Sequence, residues 1–258
     1  MAAHDLQIYQ FPCREDNYGI VLRERGGKEA ICIDAPEVEP IEDVLADKDL
    51  RLHTLLTTHH HYDHVEGNKT LKASHKCTII GPAEEEDHIP GIDQSVNHGD
   101  EIEVMGCRVQ VIGTPGHTQG QVAYYLPDAR VVFAADALFA MGCGRIFEGD
   151  AEMMHTALQR LARLPDDTKV YAGHEYTLSN AKFAVSVDGT NEVLLQRARA
   201  VELLRDEGKP TLPTTMLEEK ATNPFLRVKD PAIRAHLGME DADDVEVFAE
   251  LRARKDRF

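Results

Sequence analysis

The chain is short of positive charge. It has 28 Lys and Arg against 45 Asp and Glu in 258 residues, a formal net charge of −17. Phosphate backbones are held by basic surfaces, so this balance argues against nucleic acid or an anionic membrane as partner. No apolar run approaches the ~20 residues of a membrane helix. The start, Met1–Ala2–Ala3–His4–Asp5, has no basic-then-apolar signal pattern. Cysteine is sparse too: Cys13, Cys32, Cys77, Cys107 and Cys143 are scattered without paired spacing. An odd, dispersed set suits free thiols in a reducing compartment, so the expected location is the cytoplasm. Repeats and low-complexity tracts are also missing, and 258 residues are enough for one large domain or a domain with a small appendage.

What the chain does have is a concentration of histidine. His59–His60–His61–Tyr62–Asp63–His64 follows the apolar run Leu55–Leu56–Thr57–Thr58 and reads His-x-His-x-Asp-His at the end of a buried strand. The motif positions offer more donors than one ion would take from so short a loop. Alternate side chains of an extended segment share a face, so His59 and His61 can hold one ion. Asp63 and His64, past the turn, can face a second. A solvated His-rich loop is the plain alternative, but later residues supply the ligands still missing. His117 lies in Gly113–Thr114–Pro115–Gly116–His117–Thr118, after the strand-like Val109–Gln110–Val111–Ile112. Asp136 closes the run Val131–Val132–Phe133–Ala134–Ala135, and His174 follows Val170–Tyr171–Ala172–Gly173. Singly, each reads as a core histidine or a turn aspartate. Together they complete a two-metal set: His59, His61 and His117 for one ion, Asp63, His64 and His174 for the other, Asp136 bridging. Imidazole and carboxylate suit zinc, the expected metal, and also accept iron or manganese. His60 and Tyr62 are expected to face solvent or pack, and Asn17 and Asp34 to play supporting roles.

Strand-like and helix-like segments alternate over the first two-thirds. Leu6–Phe11, Ile20–Arg23 and Ala30–Asp34 read as strands, the latter two joined at Gly26–Gly27. Glu39–Ala46 reads as a helix, and Glu101–Val104 with Arg108–Ile112 as a hairpin. Met154, Leu158 and Leu161 have helical spacing within Ala151–Arg163. From about residue 178 the strand signals stop. Ser179–Val187, Glu192–Glu207 and Ala242–Arg254 read as helices, so we expect a catalytic domain over 1–177 and a helical, substrate-binding domain over 178–258.

The motif set resembles the metallo-β-lactamase superfamily and, within it, the glyoxalase II (hydroxyacylglutathione hydrolase) family. The metal motif identifies only the superfamily. The narrower resemblance is carried by Gly142–Cys143–Gly144–Arg145–Ile146–Phe147–Glu148–Gly149, Gly173–His174–Glu175–Tyr176–Thr177, Asn223–Pro224–Phe225–Leu226–Arg227, and Arg252 with Lys255, Asp256 and Phe258. It implies an α/β fold, the αββα sandwich of the metallo-β-lactamase type followed by a helical C-terminal domain. It also implies a glutathione site made by Arg145, Phe147, His174, Tyr176, Arg252 and Lys255. The chain departs from the family pattern at Glu66, where glycine is usual, and at Ala135 and Ala137, which flank Asp136 in place of Gly and Thr. Ala35 intervenes between Asp34 and Pro36, which are normally adjacent.

Two divalent ions lower the pKa of water from ~15.7 towards ~7 and so supply a nucleophile at neutral pH. Asp63 is then a ligand first and, secondarily, an orienting catalytic group. A thiol with a pKa near ~8.5 leaves without a dedicated proton donor, which permits a thioester. The resemblance identifies that thioester as S-D-lactoylglutathione and related 2-hydroxyacylglutathiones, and a monomer is expected. Arg252 and Lys255 are three apart and share a face if helical; charge complementation at a helix C-terminus is their alternative role. A β-lactamase, a persulfide dioxygenase, a tRNA-processing nuclease and a non-catalytic metal-binding protein remain the competing readings.

Overall fold

This computed structural model describes residues 5–258, which divide into two compact units. Among the described residues the first comprises 5–113 and Thr118–Ala134, the second Thr114–His117 and Ala135–Phe258.

The first unit contains β1 (Leu6–Cys13), β2 (Asn17–Glu24), β3 (Glu29–Ile33), α1 (Val38–Asp47), β4 (Arg51–Leu56), α2 (Tyr62–Val65), α3 (Asn68–His75), β5 (Thr78–Pro82), β6 (Gln94–Val96), β7 (Glu101–Val104), β8 (Cys107–Gly113), β9 (Val122–Leu126) and β10 (Val131–Ala135). Strands β1 to β6 form one sheet in sequence order. Its first two pairings are antiparallel and the rest parallel. Parallel neighbours need crossovers, which α1 provides between β3 and β4 and α3 between β4 and β5. Both helices cover one face of this sheet, because Ile41 and Leu45 of α1 and Leu71 of α3 join Cys32, Leu52, Leu55 and Ile79 in one buried cluster. Strands β7 to β10 form a second, antiparallel ladder. Tyr124 of β9 fixes it to the first sheet, its hydroxyl donating to the Thr57 carbonyl at 2.7 Å. Full burial pushes that phenol well above its usual pKa, so it stays a donor.

The parallel register decides where chemistry can gather. Ile33 pairs with Leu56, and Leu56 with Ile80, so β3, β4 and β5 end side by side. Whatever follows them in sequence meets in space: Asp34 after β3, the histidine motif after β4, Glu85 just past β5. The expected strand to Asp34 stops one residue early, since Asp34 turns to φ 55°. Aspartate tolerates this left-handed conformation better than most residues.

The second unit holds β11 (Leu138–Phe139), β12 (Gly142–Cys143), α4 (Ala151–Ala162), β13 (Lys169–Ala172), α5 (Thr177–Val187), α6 (Glu192–Asp206), β14 (Thr214–Thr215), α7 (Met216–Thr222), α8 (Pro231–Leu237) and α9 (Asp244–Arg257). Caps at Asp150, Asn191 and Asp243 explain where α4, α6 and α9 begin. Helices α7 and α8 and the strand β14, paired antiparallel with β13, correct the expectation of three helices and no further strand. Each is too short to display a period. Among the described residues, no helix is long and apolar enough to cross a membrane.

Glu219 organises this unit from a fully buried position. Its carboxylate accepts from Arg197 at 2.6 Å, Thr214 at 2.8 Å, the Met141 N–H at 2.8 Å and Asn223 at 2.9 Å. Asn223 in turn donates to the carbonyls of Phe139 and Gly142, pinning the β11–β12 hairpin. Removing one partner of a buried pair strands the other charge. We expect Glu219→Ala to lower unfolding free energy by about 3–5 kcal/mol, read from the midpoint and slope of urea denaturation.

Candidate metal centre

In the first unit, the ends of β3 and β4 assemble a set of oriented donors. Helix α2 is a single turn that follows His61 and carries Asp63 and His64, where the sequence offers only an unspecified turn. Ring centroids of His59 and His61 lie 4.8 Å apart, and those of His59 and His64 4.2 Å. The Nε2 of His64 is 3.7 Å from Asp63 Oδ2.

Asp34 directs this cluster. Its Oδ1 accepts the Thr58 N–H at 2.7 Å, and its Oδ2 accepts the Thr58 hydroxyl at 2.8 Å and His64 Nδ1 at 2.9 Å. Since Thr58 gives its proton to Asp34, its oxygen can only accept from His59 Nδ1, 3.0 Å away. Both imidazoles therefore carry hydrogen on Nδ1 and present a lone pair at Nε2, the state a metal ligand requires. Asp34, His59 and His64 could themselves hold an ion, with ligand atoms within 4.8 Å of one another. Three donors already occupy the Asp34 carboxylate, which makes it the orienter. Asn17 supports the same loop, donating to Asp63 Oδ2 at 3.0 Å and to the Asp63 carbonyl at 3.2 Å.

Glu85 is the residue that sequence reasoning missed. It is buried, and its Oε2 accepts the His60 N–H at 2.6 Å and His60 Nδ1 at 2.8 Å. Its Oε1 takes the Thr118 hydroxyl and the Gly120 N–H at 2.9 Å. His60 packs on this carboxylate, and Tyr62 is solvent-facing. The available signal was positional: Glu85 follows the third apolar parallel strand, as Asp34 follows the first.

In the second unit, Asp136 stands between two histidines. Its Oδ2 lies 3.5 Å from His117 Nε2 and 3.3 Å from His174 Nε2. Two ligands about 2.0–2.1 Å from a tetrahedral ion are roughly 3.3 Å apart, so both spacings fit ligand pairs on a common ion. His117 Nδ1 donates to the Arg145 carbonyl at 2.9 Å, again leaving Nε2 as the donor atom. The ring of Tyr176 stacks on His174 at 4.8 Å, 5° from parallel. Ala135 adopts φ 43°, a strained choice for a residue with a Cβ. Gly144 has no such freedom: a Cβ there would meet the Asp136 carbonyl oxygen at 2.1 Å and His117 Nδ1 at 3.1 Å.

The expected substrate residues divide by exposure. Phe147 is 62% exposed, its ring 5.2 Å from that of His117, and Arg145 and Tyr176 are also accessible. Arg252 is only 5% exposed. Its Nη1 donates to the Cys143 carbonyl at 2.8 Å and the Gly144 carbonyl at 3.2 Å, and its Nη2 meets Asp256 at 3.0 Å. Lys255 donates to Ser179 Oγ at 2.8 Å, and burial, with Arg252 and Arg145 nearby, pushes its pKa down to about 8. Burial also pushes the Cys143 thiol up to about 11.

Two family models match the chain: the metallo-β-lactamase superfamily over residues 21–174 and the hydroxyacylglutathione hydrolase C-terminus over residues 175–258. A hydroxyacylglutathione hydrolase of Rhizobium meliloti is 55% identical, with all of both chains aligned. One from Mesorhizobium japonicum is 52% identical over 98% of this chain and 99% of its own. Among solved structures, ETHE1 from Myxococcus xanthus superposes with a TM-score of 0.65 at 26% identity, covering 96% of this chain and 98% of that one.

The Asp34 bonds predict a measurable dependence. Removing a carboxylate that orients a ligand histidine costs about ten- to a hundredfold in metal affinity. Asp34→Ala should weaken divalent-metal binding by that factor in competition with a chromophoric chelator. An unchanged affinity would return Asp34 to a purely structural role.

Proposed function

The chain belongs to the hydroxyacylglutathione hydrolase family of the metallo-β-lactamase superfamily, whose αββα fold and helical C-terminal region it shares, and we propose that it hydrolyses S-D-lactoylglutathione to glutathione and D-lactate. That reaction would be the second step of methylglyoxal detoxification, carried out by a cytoplasmic monomer. The chain binds divalent metal. Our reading of the number and identity is two ions, zinc first, with iron or manganese compatible. His59, His61 and His117 would hold one, Asp63, His64 and His174 the other, and Asp136 both. The observation that carries this reading is the donor chemistry: His64, His59 and His117 each commit Nδ1 to a hydrogen bond, so each offers Nε2 to a cation.

When bound, the ions would lower the pKa of water and polarise the thioester carbonyl. The chain's own residues do the rest. Asp63, partly exposed and held by Asn17, orients the attacking water. Phe147 and Tyr176 flank His117 and His174 and give the substrate apolar walls that thin the water around the reacting carbonyl. Arg145 and Lys255 supply positive charge for the glutathione carboxylates, the buried Arg252 adds its field from behind them without a free donor face, and His174 lies at the thioester end. The leaving thiolate needs no dedicated acid. Cys143 is no nucleophile, since the thiolate is the reactive form and a pKa of about 11 leaves almost none at neutral pH.

The deciding assay is hydrolysis of S-D-lactoylglutathione beside a β-lactam and glutathione persulfide, with metal content measured on the same sample. We expect turnover of the thioester alone, loss of metal and activity in Asp136→Ala, and retained turnover in Cys143→Ala.

Lys255 sets a pH dependence. Its pKa is about 8, below that of an ordinary lysine, so it is charged below pH 8 and neutral above. A neutral amine no longer attracts a carboxylate. The kcat/KM for S-D-lactoylglutathione should therefore fall as pH rises through about 8. In Lys255→Ala that limb should vanish, with KM at pH 7 raised roughly ten- to a hundredfold, the worth of one charge-assisted hydrogen bond. Thioesters without glutathione carboxylates should show neither effect.

A further inference from the structure

We infer that Arg252 is a positioning residue for the metal centre: from the C-terminal helix it fixes the backbone segment that aims His117 and closes over Asp136. The inference rests on the reading of His117 and Asp136 as metal ligands. A cation serving only to attract substrate should keep its guanidinium accessible, yet Arg252 is almost wholly buried. Its Nη1 bonds the carbonyls of Cys143 and Gly144, its Nη2 bonds Asp256, and the guanidinium carbon sits 5.2 Å from the Phe225 ring centre. Nη1 serves both adjacent carbonyls while Nη2, fixed in the same plane, is tied to Asp256, so the guanidinium holds them in one arrangement, which an ammonium on a flexible stem does not.

Those carbonyls belong to the segment that touches the ligands. The next carbonyl, that of Arg145, accepts from His117 Nδ1 at 2.9 Å. Gly144 donates its N–H to the Ala137 carbonyl at 3.4 Å, and it lies so close to Asp136 that a methyl group would not fit. Two residues further on, the Phe147 N–H reaches the His117 carbonyl at 3.3 Å. The segment thus runs against both Asp136–Ala137 and His117 with no slack, and Arg252 holds its near end. If these bonds go, the Arg145 carbonyl moves, and with it the direction in which His117 offers Nε2. Lys255, three residues along the same helix, bonds Ser179 instead, so helix α9 carries two separable tasks.

The test compares full-length wild type, Arg252→Ala, Arg252→Lys and Lys255→Ala. Zinc affinity is measured against a chromophoric chelator, the coordination environment by the absorption spectrum of the cobalt(II)-substituted protein, and kcat and KM with S-D-lactoylglutathione. Arg252→Ala should lose ten- to a hundredfold in affinity for one of two ions, the range expected when support of a ligand histidine is removed. Its cobalt spectrum should shift and its kcat fall, also on thioesters lacking glutathione carboxylates. Lys255→Ala should keep both affinities and the spectrum, moving KM alone. Arg252→Lys should lose less than Arg252→Ala, because one ammonium recovers part of the carbonyl contact. Unchanged affinities and spectrum in Arg252→Ala, with only KM raised, would overturn the inference. Should that variant not fold, the same result in Arg252→Lys overturns it. A wild-type chain that took up no zinc would defeat the underlying metal reading, and this inference with it.

Discussion

The carboxylate of Asp34 takes three hydrogen-bond donors from the loop after the neighbouring strand, and the direction of the histidine lone pairs depends on it. An imidazole binds a cation only through a nitrogen without a proton, and free histidine exchanges its two tautomers readily. Asp34 removes that choice for His64 directly and for His59 through Thr58. The constraint is inexpensive because the sheet provides it. Parallel strands in register end together, so an aspartate after β3 and a threonine after β4 are neighbours without any loop having to bend towards the other. Its cost appears in the backbone, as the left-handed Asp34.

Locality explains which features the sequence disclosed. The His59–His64 motif is dense enough to read directly, and His117, Asp136 and His174 stand out because each ends an apolar run. Strands long enough to show alternation, such as β8, and helices with three apolar positions in phase, such as α4, could be placed from pattern alone. Glu85 could not, since its partners His60, Thr118 and Gly120 are 25 to 35 residues away and are brought near by the β4–β5 pairing and by the Val122 N–H bond to the Thr58 carbonyl. Helices α7 and α8, at seven residues each, give too few turns for a period. Arg252 was legible as a cation on the face of Lys255, but three residues of helix separate them by about 60° of rotation. That rotation is enough to bury one guanidinium and leave the other side chain partly accessible.

Net charge and local charge point in opposite directions. The chain carries −17, yet around helix α9 the cations Arg145, Arg252 and Lys255 stand close together, and burial, with the two arginines beside it, depresses the pKa of the third. At physiological salt the Debye length is about 8 Å, so an anion arriving there responds to this group and little to distant carboxylates. Asp256 offsets part of the cations' mutual repulsion, lying 3.0 Å from Arg252 and 3.9 Å from Arg145.

All five cysteines are buried, and burial raises each pKa: Cys13 to about 12, Cys143 to about 11, and Cys32, Cys77 and Cys107 in the same direction. Thiol–disulfide exchange proceeds through an accessible thiolate. A protein that releases glutathione works beside the glutathione–glutathione disulfide couple, and mixed disulfides form on any reactive cysteine it offers. This chain offers none among its described residues. Buried and held in the thiol form, its cysteines sit off that exchange pathway.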